Sequence, residues 1–229
     1  MAAFSVLGGS LTLFDGSAGY RPSEDSFWLA ALAPFTKGAI CDVGCGTGAV
    51  GLGYLTTHQN IQSLWGFDVQ PDMVHAANKA ATTNDLNASF KVGDIAAPPF
   101  APGSFALTLA NPPFYNPERE MLAMSPHNKK SKFMHHPLSS WLNAMATLTN
   151  TEGQLSLIVH KKDENILIDQ AATLGCTLTR AVTLKTAPEK FSKRVILQFV
   201  KTKSADPPKK ETIFIYDKAT RTKYLKEAP

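Results

Sequence analysis

The stretch Ala39-Ile40-Cys41-Asp42-Val43-Gly44-Cys45-Gly46-Thr47-Gly48 decides the fold of this 229-residue chain. Its first five residues form a compact apolar run typical of a buried strand, and residues 48–57 have the composition of a helix. Glycines between a strand and a helix permit a sharp turn, and they let a ligand lie against the backbone without a Cβ in the way. The first amides of the helix then face that ligand. The stretch therefore predicts a strand, a ligand-binding turn and a helix.

Outward from this stretch, short apolar runs alternate with helix-like segments, which predicts an α/β fold with a mostly parallel sheet. The predicted helices are residues 24–32, 48–57, 71–84, 137–148 and 163–174. The predicted strands are residues 39–43, 61–69, 88–92, 105–110, 154–160, 177–185 and 194–201, with 212–216 as a possible last one. Because the final strands have no helices between them, we expect a seven-stranded, Rossmann-like sheet with an antiparallel edge and helices on both faces.

Acidic residues at the ends of successive strands distinguish this turn from a phosphate site. Asp42 precedes glycines spaced G-x-G-x-G rather than G-x-G-x-x-G, so the turn repels a pyrophosphate and favours a cationic amine or sulfonium. Asp68, ending the second strand, can accept hydrogen bonds from ribose hydroxyls, and Asp94, after the third strand, can meet an adenine amino group. The arrangement resembles class I S-adenosylmethionine-dependent methyltransferases. The resemblance implies S-adenosylmethionine as the cofactor, bound by Asp25, Asp42, Gly44, Gly46, Gly48, Asp68, Val69, Asp94 and Asn111.

A second motif, Asn111-Pro112-Pro113-Phe114, follows the fourth strand at the same edge of the sheet. An amino group conjugated with a ring is a poor nucleophile, because its lone pair is delocalised. The Asn111 side-chain oxygen and the Pro112 carbonyl can each accept one N–H, which orients the nitrogen for attack on a methyl group. Phe114 can stack on an extruded base. We predict catalytic roles for these four residues, whose motif resembles that of methyltransferases acting on amino-adenine, amino-guanine, cytosine N4 or glutamine amides.

The segment Gly19-Tyr20-Arg21-Pro22-Ser23-Glu24-Asp25 leads into an apolar helix before the first core strand. With the two motifs, it resembles the bacterial tRNA-valine adenine-N6 methyltransferases, which modify the adenine next to the anticodon. The resemblance implies that Asp25 closes over the cofactor, although Ser23-Glu24 departs from the family's usual neighbours. It also implies one methyltransferase domain over residues 1–229, with a cofactor-covering segment (1–38), a core (39–201) and a C-terminal strand with a basic tail (202–229).

The positions of the basic residues are more informative than their sum, since a net charge of +4 and a pI of about 8.9 are common. Lysines and histidines crowd residues 127–136, and further cations occur in residues 185–194 and in the C-terminal tail. Lysine contacts with phosphates release counterions and stabilise RNA binding. We therefore expect RNA, and tRNA within it, as the partner. The predicted contacts are Tyr20, Arg21, Tyr115, Lys129, Lys130, Lys132, Lys193 and Arg194.

The three cysteines, Cys41, Cys45 and Cys176, favour a reducing compartment, because their odd number does not suggest a disulfide framework. His135 and His136 lack the companion ligands of a zinc site, so we expect no metal. The N-terminus has no signal-peptide pattern, and no run reaches the roughly 18 apolar residues of a membrane span. These features predict a cytoplasmic protein, with a monomer slightly favoured.

Four alternatives remain open. A protein glutamine-amide methyltransferase shares the Asn-Pro-Pro-aromatic motif, but residues 1–38 are too few for the helical substrate domain of those enzymes. A DNA adenine methyltransferase needs a target-recognition insertion that the sequence does not show. Another base amino group in RNA, such as guanine N2, is compatible with the motif. A cofactor-binding scaffold without activity is disfavoured, because a scaffold has no need of the Asn111 acceptor.

Overall fold

The computed structural model describes residues 1–16, 19–58, 63–113, 136–203 and 206–227. A two-stranded N-terminal hairpin precedes a large sheet of eight strands. The hairpin consists of β1 (Ala3–Val6) and β2 (Leu11–Phe14). The strands of the large sheet are β3 (Ile40–Val43), β4 (Leu64–Asp68), β5 (Ala88–Val92), β6 (Phe105–Ala110), β7 (Thr149–His160), β8 (Thr177–Lys185), β9 (Arg194–Val200) and β10 (Lys209–Phe214).

Helices connect most of these strands and bury their apolar sides. Within the described residues they are α1 (Asp25–Leu32), α2 (Ala49–Thr57), α3 (Pro71–Thr83), α4 (Leu138–Leu148), α5 (Glu164–Thr173) and α6 (Lys218–Leu225). α3 shows how the sequence sets such a helix: proline occupies its first position, where no backbone N–H is needed, and one side is buried. The buried residues of α3 are Met73, Val74, Ala76, Ala77, Ala80 and Ala81.

The strand order is β10-β8-β9-β7-β6-β3-β4-β5, and every neighbouring pair is parallel except those that include β9. From β3 the chain adds β4 and β5 on one side, and then β6 and β7 on the other. The strand order therefore reverses between β3 and β6. In open α/β sheets, ligands bind beyond the carboxyl ends of the strands at such a reversal.

The predicted fold class is confirmed, and most elements lie within a few residues of their predicted bounds. β7 begins at Thr149 rather than at residue 154, because Thr149 pairs with Phe105 before the strand shifts its register. β10 covers residues 209–214 rather than 212–216 and makes the sheet eight-stranded rather than seven-stranded. The antiparallel strand is β9, which lies between β7 and β8, while β10 at the edge is parallel to β8.

The C-terminal tail, which the sequence suggested only as a basic segment, contains the helix α6. Asp217 caps it by accepting a hydrogen bond from the Thr220 amide at 2.8 Å. Arg221 binds Glu24 beside α1, with 2.6 Å between Nη1 and Oε1, and Lys226 donates to the Thr56 carbonyl. The sequence did not reveal this helix because Leu225 is its only buried residue, so its stability comes from these contacts rather than from an amphipathic pattern.

Among the residues that the structure describes, none of the helices combines the length and the apolarity needed to cross a bilayer.

Candidate cofactor and acceptor site

The three glycines of the turn after β3 all have positive φ angles, of 68° at Gly44, 52° at Gly46 and 83° at Gly48. Side chains are excluded at two of them by packing: a Cβ at Gly44 would collide with the Trp141 ring, and one at Gly48 would lie 3.2 Å from the Ala77 Cβ. At Gly46, by contrast, no atom lies within 4 Å of the position that a Cβ would take. The turn therefore opens at Gly46, and this is where a ligand can approach the backbone.

Asp68, the last residue of β4, holds the open part of the turn. Its Oδ2 accepts a hydrogen bond from the Gly46 amide at 2.9 Å, and its Oδ1 accepts one from the Gln70 amide at 2.9 Å. Burial raises the pKa of Asp68, and these backbone hydrogen bonds oppose that shift. Each carboxylate oxygen has a further lone pair, so Asp68 can still accept hydrogen bonds from a pair of ribose hydroxyls.

Asp42 lies beneath the turn and is completely buried. Its Oδ2 accepts a hydrogen bond from the Gly51 amide of α2 at 2.9 Å, whereas its Oδ1 has no partner among the described residues. Burial raises the pKa of Asp42 to about 7, opposed by the Gly51 hydrogen bond and reinforced by the charge of Asp68. With this pKa, Asp42 is only partly ionised at neutral pH, and a nearby cation would favour its ionised form.

The N-terminal segment packs over the same turn. Gly16 is in such close contact with Met73 that a Cβ there would collide with the Met73 sulfur, and the Gly16 amide donates to the Tyr20 carbonyl at 2.8 Å. Burial and the charge of Asp68 raise the pKa of the Tyr20 hydroxyl. Tyr20 was predicted as an RNA contact, and that role stays a prediction. Arg21, predicted alongside it, lies over the Phe4 ring of the N-terminal hairpin, 4.5 Å from the centroid.

Val69 follows the carboxyl end of β4, and Asp94 follows the carboxyl end of β5. Val69 is 51% exposed and offers an apolar surface directly after Asp68. The Asp94 carboxylate already has partners: its Oδ1 accepts from the Ala96 amide at 2.8 Å and lies 2.9 Å from His136 Nε2. Asp94 is thus available to an adenine amino group only through its remaining lone pairs.

Asn111 follows β6, and its side-chain amide is fixed in one orientation. Its Nδ2 donates to the Ser26 hydroxyl at 2.9 Å, and Ser26, on α1, is only 4% exposed. The Asn111 Oδ1 is buried and has no hydrogen-bond partner among the described residues. Pro112 and Pro113, which follow, have no backbone N–H to compete for it. The site therefore presents a buried, unused acceptor beside the carboxyl end of β6.

Ser26 is a site residue that the sequence did not reveal. It is the second residue of a helix that is apolar from Phe27 onward, and it lies 85 positions before Asn111. A buried polar residue within an apolar helix is a weak signal of such a role, because short-range spacing cannot indicate its partner.

Two predicted site residues bind each other. Arg194 Nε lies 2.9 Å from Asp25 Oδ2, although Asp25 was predicted to contact the cofactor and Arg194 to contact RNA. Arg194 Nη1 also lies 2.9 Å from His160 Nδ1 at the end of β7. Burial and the neighbouring charges of Arg194 and Lys162 lower the pKa of His160, which therefore accepts from the guanidinium as a neutral ring. Arg194 joins β9 to α1, and Lys193 beside it is exposed.

The remaining predicted residues, Phe114, Tyr115, Lys129, Lys130 and Lys132, lie outside the described residues. Their assigned roles stay predictions.

Residues 40–125, which contain the glycine turn, Asp68 and Asn111, match a family described as a methyltransferase domain. A curated relative, ribosomal RNA small subunit methyltransferase C of Salmonella arizonae, is 31% identical over 88 residues, which are 38% of this chain and 25% of that protein. The corresponding protein of Escherichia coli O1:K1 is 30% identical over the same length. The chain thus spans about a quarter of the length of the curated relatives it matches.

Solved structures share the fold over most of the chain. A predicted O-methyltransferase from Agrobacterium tumefaciens superposes with a TM-score of 0.63 and 15% identity, covering 85% of this chain and 88% of that one. A candidate RNA methyltransferase from Pyrococcus horikoshii superposes with a TM-score of 0.55 and 18% identity, covering 79% of this chain and 82% of that one. The superpositions show that the chain has the fold of class I methyltransferases. At identities this low, they do not indicate which acceptor is methylated.

Residues 40–125, which build the site, thus match a methyltransferase domain, and the cofactor that the sequence predicted for this class is S-adenosylmethionine. The residues present fit this cofactor: the turn is open at Gly46, and Asp68 lies next to that opening with lone pairs to spare. The curated relatives described above carry ribosomal RNA in their names, and the more specific resemblance to tRNA-valine methyltransferases stays a prediction.

Proposed function

We propose that this protein transfers a methyl group from S-adenosylmethionine to the exocyclic N6 of an adenine in RNA. The observation that carries the proposal is the state of Asn111. Its Nδ2 donates to Ser26, and its Oδ1 is buried with no partner among the described residues, at the sheet edge where the cofactor turn opens. A buried acceptor without a partner destabilises a protein by about 1–3 kcal/mol. A substrate that donates a hydrogen bond to this acceptor removes that cost, which favours its binding.

The chemistry of an amino group explains why such an acceptor is useful. When bound, S-adenosylmethionine supplies an electrophilic methyl group on a sulfonium. The Asn111 Oδ1 and the Pro112 carbonyl each accept one N–H of the target, which turns the nitrogen lone pair toward that methyl group. Methyl transfer to the nitrogen oriented in this way would replace the S–CH3 bond by an N–CH3 bond, and one N–H proton would then leave to water. Fixed dipoles at the nitrogen stabilise the developing positive charge without a strong base.

RNA is favoured over the other acceptors by two lines of support. The curated relatives carry ribosomal RNA in their names, and Lys190 and Lys193, near the carboxyl end of β8, are exposed. The resemblance of residues 19–25 and of the Asn-Pro-Pro-Phe motif to tRNA-valine methyltransferases favours an adenine near a tRNA anticodon. The names of the relatives favour ribosomal RNA as a second candidate within the same proposal.

Three other acceptors would use the same Asn111 geometry: a glutamine amide of a protein, another base amino group in RNA, and adenine in DNA. They differ from the proposal in the polymer or in the atom that is methylated. A scaffold without activity would bind the cofactor and transfer nothing. A single assay with separated acceptors therefore discriminates among the polymers.

The test is methyl transfer from labelled S-adenosylmethionine to total RNA, DNA and protein prepared from cells that lack the gene. We expect label in RNA with the wild-type protein and none with Asn111→Ala. Asn143→Ala is the matched control, because Asn143 is an exposed asparagine on α4, and it should label RNA like the wild type. Label confined to protein or DNA would contradict the proposal, and so would cofactor binding without any transfer.

A further inference from the structure

The hairpin tip between β8 and β9 lies at the same edge of the sheet as Asn111. β8 runs parallel to β7 and β6, since β9 is antiparallel to both β7 and β8. The tip, residues 186–193, therefore follows the carboxyl end of β8. Asn111 follows the carboxyl end of β6, two strands beyond β9 in the sheet. Any substrate that reaches Asn111 from solvent approaches this edge.

An aromatic ring stands free at this tip. Phe191 is 98% exposed, which is unusual for a phenylalanine, since burial of such a large apolar side chain stabilises a protein. Lys190 and Lys193 on either side of it are exposed as well. Glu189 is the only acid in the tip, against these two lysines and Lys185 at the base.

The tip is held in a defined shape rather than left as a loose loop. The Ser192 hydroxyl donates to the carbonyls of Leu184 and Arg194, at 2.6 and 2.8 Å, and so ties both strands together. The Lys190 amide donates to the Ala187 carbonyl at 3.1 Å, which closes a turn inside the tip. These contacts fix the backbone on both sides of Phe191 and keep its ring turned to solvent.

The base of the hairpin is connected to the acceptor. Arg194, the first residue of β9, binds Asp25 at 2.9 Å, and the next residue of α1, Ser26, binds Asn111 at 2.9 Å. Two side-chain contacts thus connect the hairpin to the residue that faces the target nitrogen. Because these two contacts connect the hairpin to Asn111, the free energy of substrate binding at the tip can help to position the substrate at Asn111.

We infer that Phe191 stacks on an unpaired base of the RNA substrate, next to the target nucleotide in space, while Lys190 and Lys193 contact its phosphates. The inference rests on the proposed function and adds a binding surface to it. One free ring between lysines matches a single-stranded nucleic acid, in which every base has a face for stacking and every linkage has a charge. A protein partner or a second copy of the chain would need a larger apolar surface than one phenylalanine provides.

The experiment measures binding of a fluorescein-labelled single-stranded oligoadenylate of 15 nucleotides to the full chain by anisotropy at low salt. Phe191→Ala should weaken binding about 5- to 150-fold, the range for loss of one stacked base, and Phe191→Trp should retain it. Phe35→Ala is the matched control, since Phe35 is 51% exposed but precedes β3 at the opposite edge, and it should bind like the wild type. Lys190→Ala with Lys193→Ala should reduce the slope of log affinity against log salt by about 1 to 2.

The same variants are then compared in methyl transfer to total RNA, with S-adenosylmethionine affinity as the check on folding. We expect Phe191→Ala to raise the RNA concentration needed for half-maximal rate and to leave cofactor affinity unchanged. If wild type labels RNA and Phe191→Ala binds and labels it equally well, the inference is wrong and the proposed function stands. If wild type labels no RNA at all, both fail. If Phe191→Ala reduces labelling of protein instead, the ring serves a protein partner and the inference is wrong.

Discussion

The cofactor side and the acceptor side of the site are held together in different ways. On the cofactor side, carboxylates bind backbone amides: Asp68 binds those of Gly46 and Gln70, and Asp42 binds that of Gly51. On the acceptor side, side chains bind side chains from distant parts of the chain. Asn111 and Ser26 are 85 positions apart, and Arg194 and Asp25 are 169 apart. The cofactor side is thus a local structure of β3 and β4, whereas the acceptor side exists only when α1 is correctly docked.

The docking of α1 depends on the last strands. The Leu32 carbonyl at its end accepts hydrogen bonds from Gln198 at 2.7 Å and from Arg180 at 2.8 Å. At its start, Glu24 is bound by Arg221 of α6. The C-terminal part of the chain therefore positions the helix that orients Asn111. We therefore expect variants on the cofactor side to change mainly the affinity for the cofactor, and variants on the acceptor side to change mainly the transfer rate.

The largest effect is expected for Asn111→Ala, on the acceptor side. Loss of the acceptor that orients the target nitrogen should lower kcat on the order of 100- to 1,000-fold, the range for removal of one preorganised group. Because the cofactor side is left intact, the Kd for S-adenosylmethionine, measured by calorimetry, should change less than about threefold. A collapse of cofactor affinity with an unchanged rate at saturation would assign Asn111 to the cofactor side instead.

A smaller but distinct effect is expected for Asp68→Ala. The substitution removes the acceptor of two backbone amides and of the ribose hydroxyls, so we expect the Kd for S-adenosylmethionine to rise about 10- to 100-fold. Asp68→Asn keeps a neutral acceptor and should fall between this variant and wild type. Glu189→Ala, which removes an exposed carboxylate from the hairpin tip, serves as the control for net charge. Equal affinities for all three variants would contradict the role of Asp68.

Ser26→Ala should give about a tenfold loss of kcat with little change in cofactor affinity. The substitution leaves the Asn111 amide nitrogen buried without its partner, and the side chain is then free to turn its oxygen away. In the double variant with Asn111→Ala, loss of Ser26 should add nothing, because the two residues act as one unit. Independent, multiplicative losses would show that Ser26 does not act through Asn111. Ser23→Ala, an exposed serine just before α1, is the matched control.

The smallest effect concerns pH and Asp42. Its pKa of about 7 means that the folded protein holds a proton that the unfolded chain, with an ordinary carboxyl, releases near pH 4. Stability without cofactor should therefore fall as the pH rises from about 4 to about 7. A bound cation favours the ionised form, so cofactor affinity should rise severalfold, and less than about tenfold, between pH 6 and pH 8. In Asp42→Asn, calorimetry should show that this rise is absent; an unchanged pH profile would contradict the account.

The sequence could place the residues of the cofactor side at strand ends because their signals are contiguous, and their binding roles stay predictions. Asp42, the three glycines and Asp68 lie at strand ends, and strand ends can be read from short apolar runs. The acceptor motif was also found, since Asn111 and the two prolines directly follow a strand. What the sequence could not provide was the partner of Asn111, because Ser26 lies on a helix whose docking is determined by tertiary contacts.

Long-range contacts account for several of the basic residues, whereas Lys190 and Lys193 are exposed. Arg194 binds Asp25, Arg221 binds Glu24, and Lys226 donates to the Thr56 carbonyl. These cations therefore stabilise the fold through contacts within the protein. Phe191, which counts as one more hydrophobic residue in the sequence, is in fact fully exposed. Composition gives the number of charged and aromatic side chains. Only the tertiary structure shows which of them are exposed and can contact a ligand.

The most direct test of the account is the identity of the methylated nucleoside. RNA from cells that lack the gene is treated with the protein and S-adenosylmethionine, digested to nucleosides and analysed by mass spectrometry beside an Asn111→Ala reaction. The account predicts that N6-methyladenosine increases with the wild-type protein and not with the variant. An increase in methylated guanosine or cytidine without N6-methyladenosine, or an equal yield from Asn111→Ala, would contradict it.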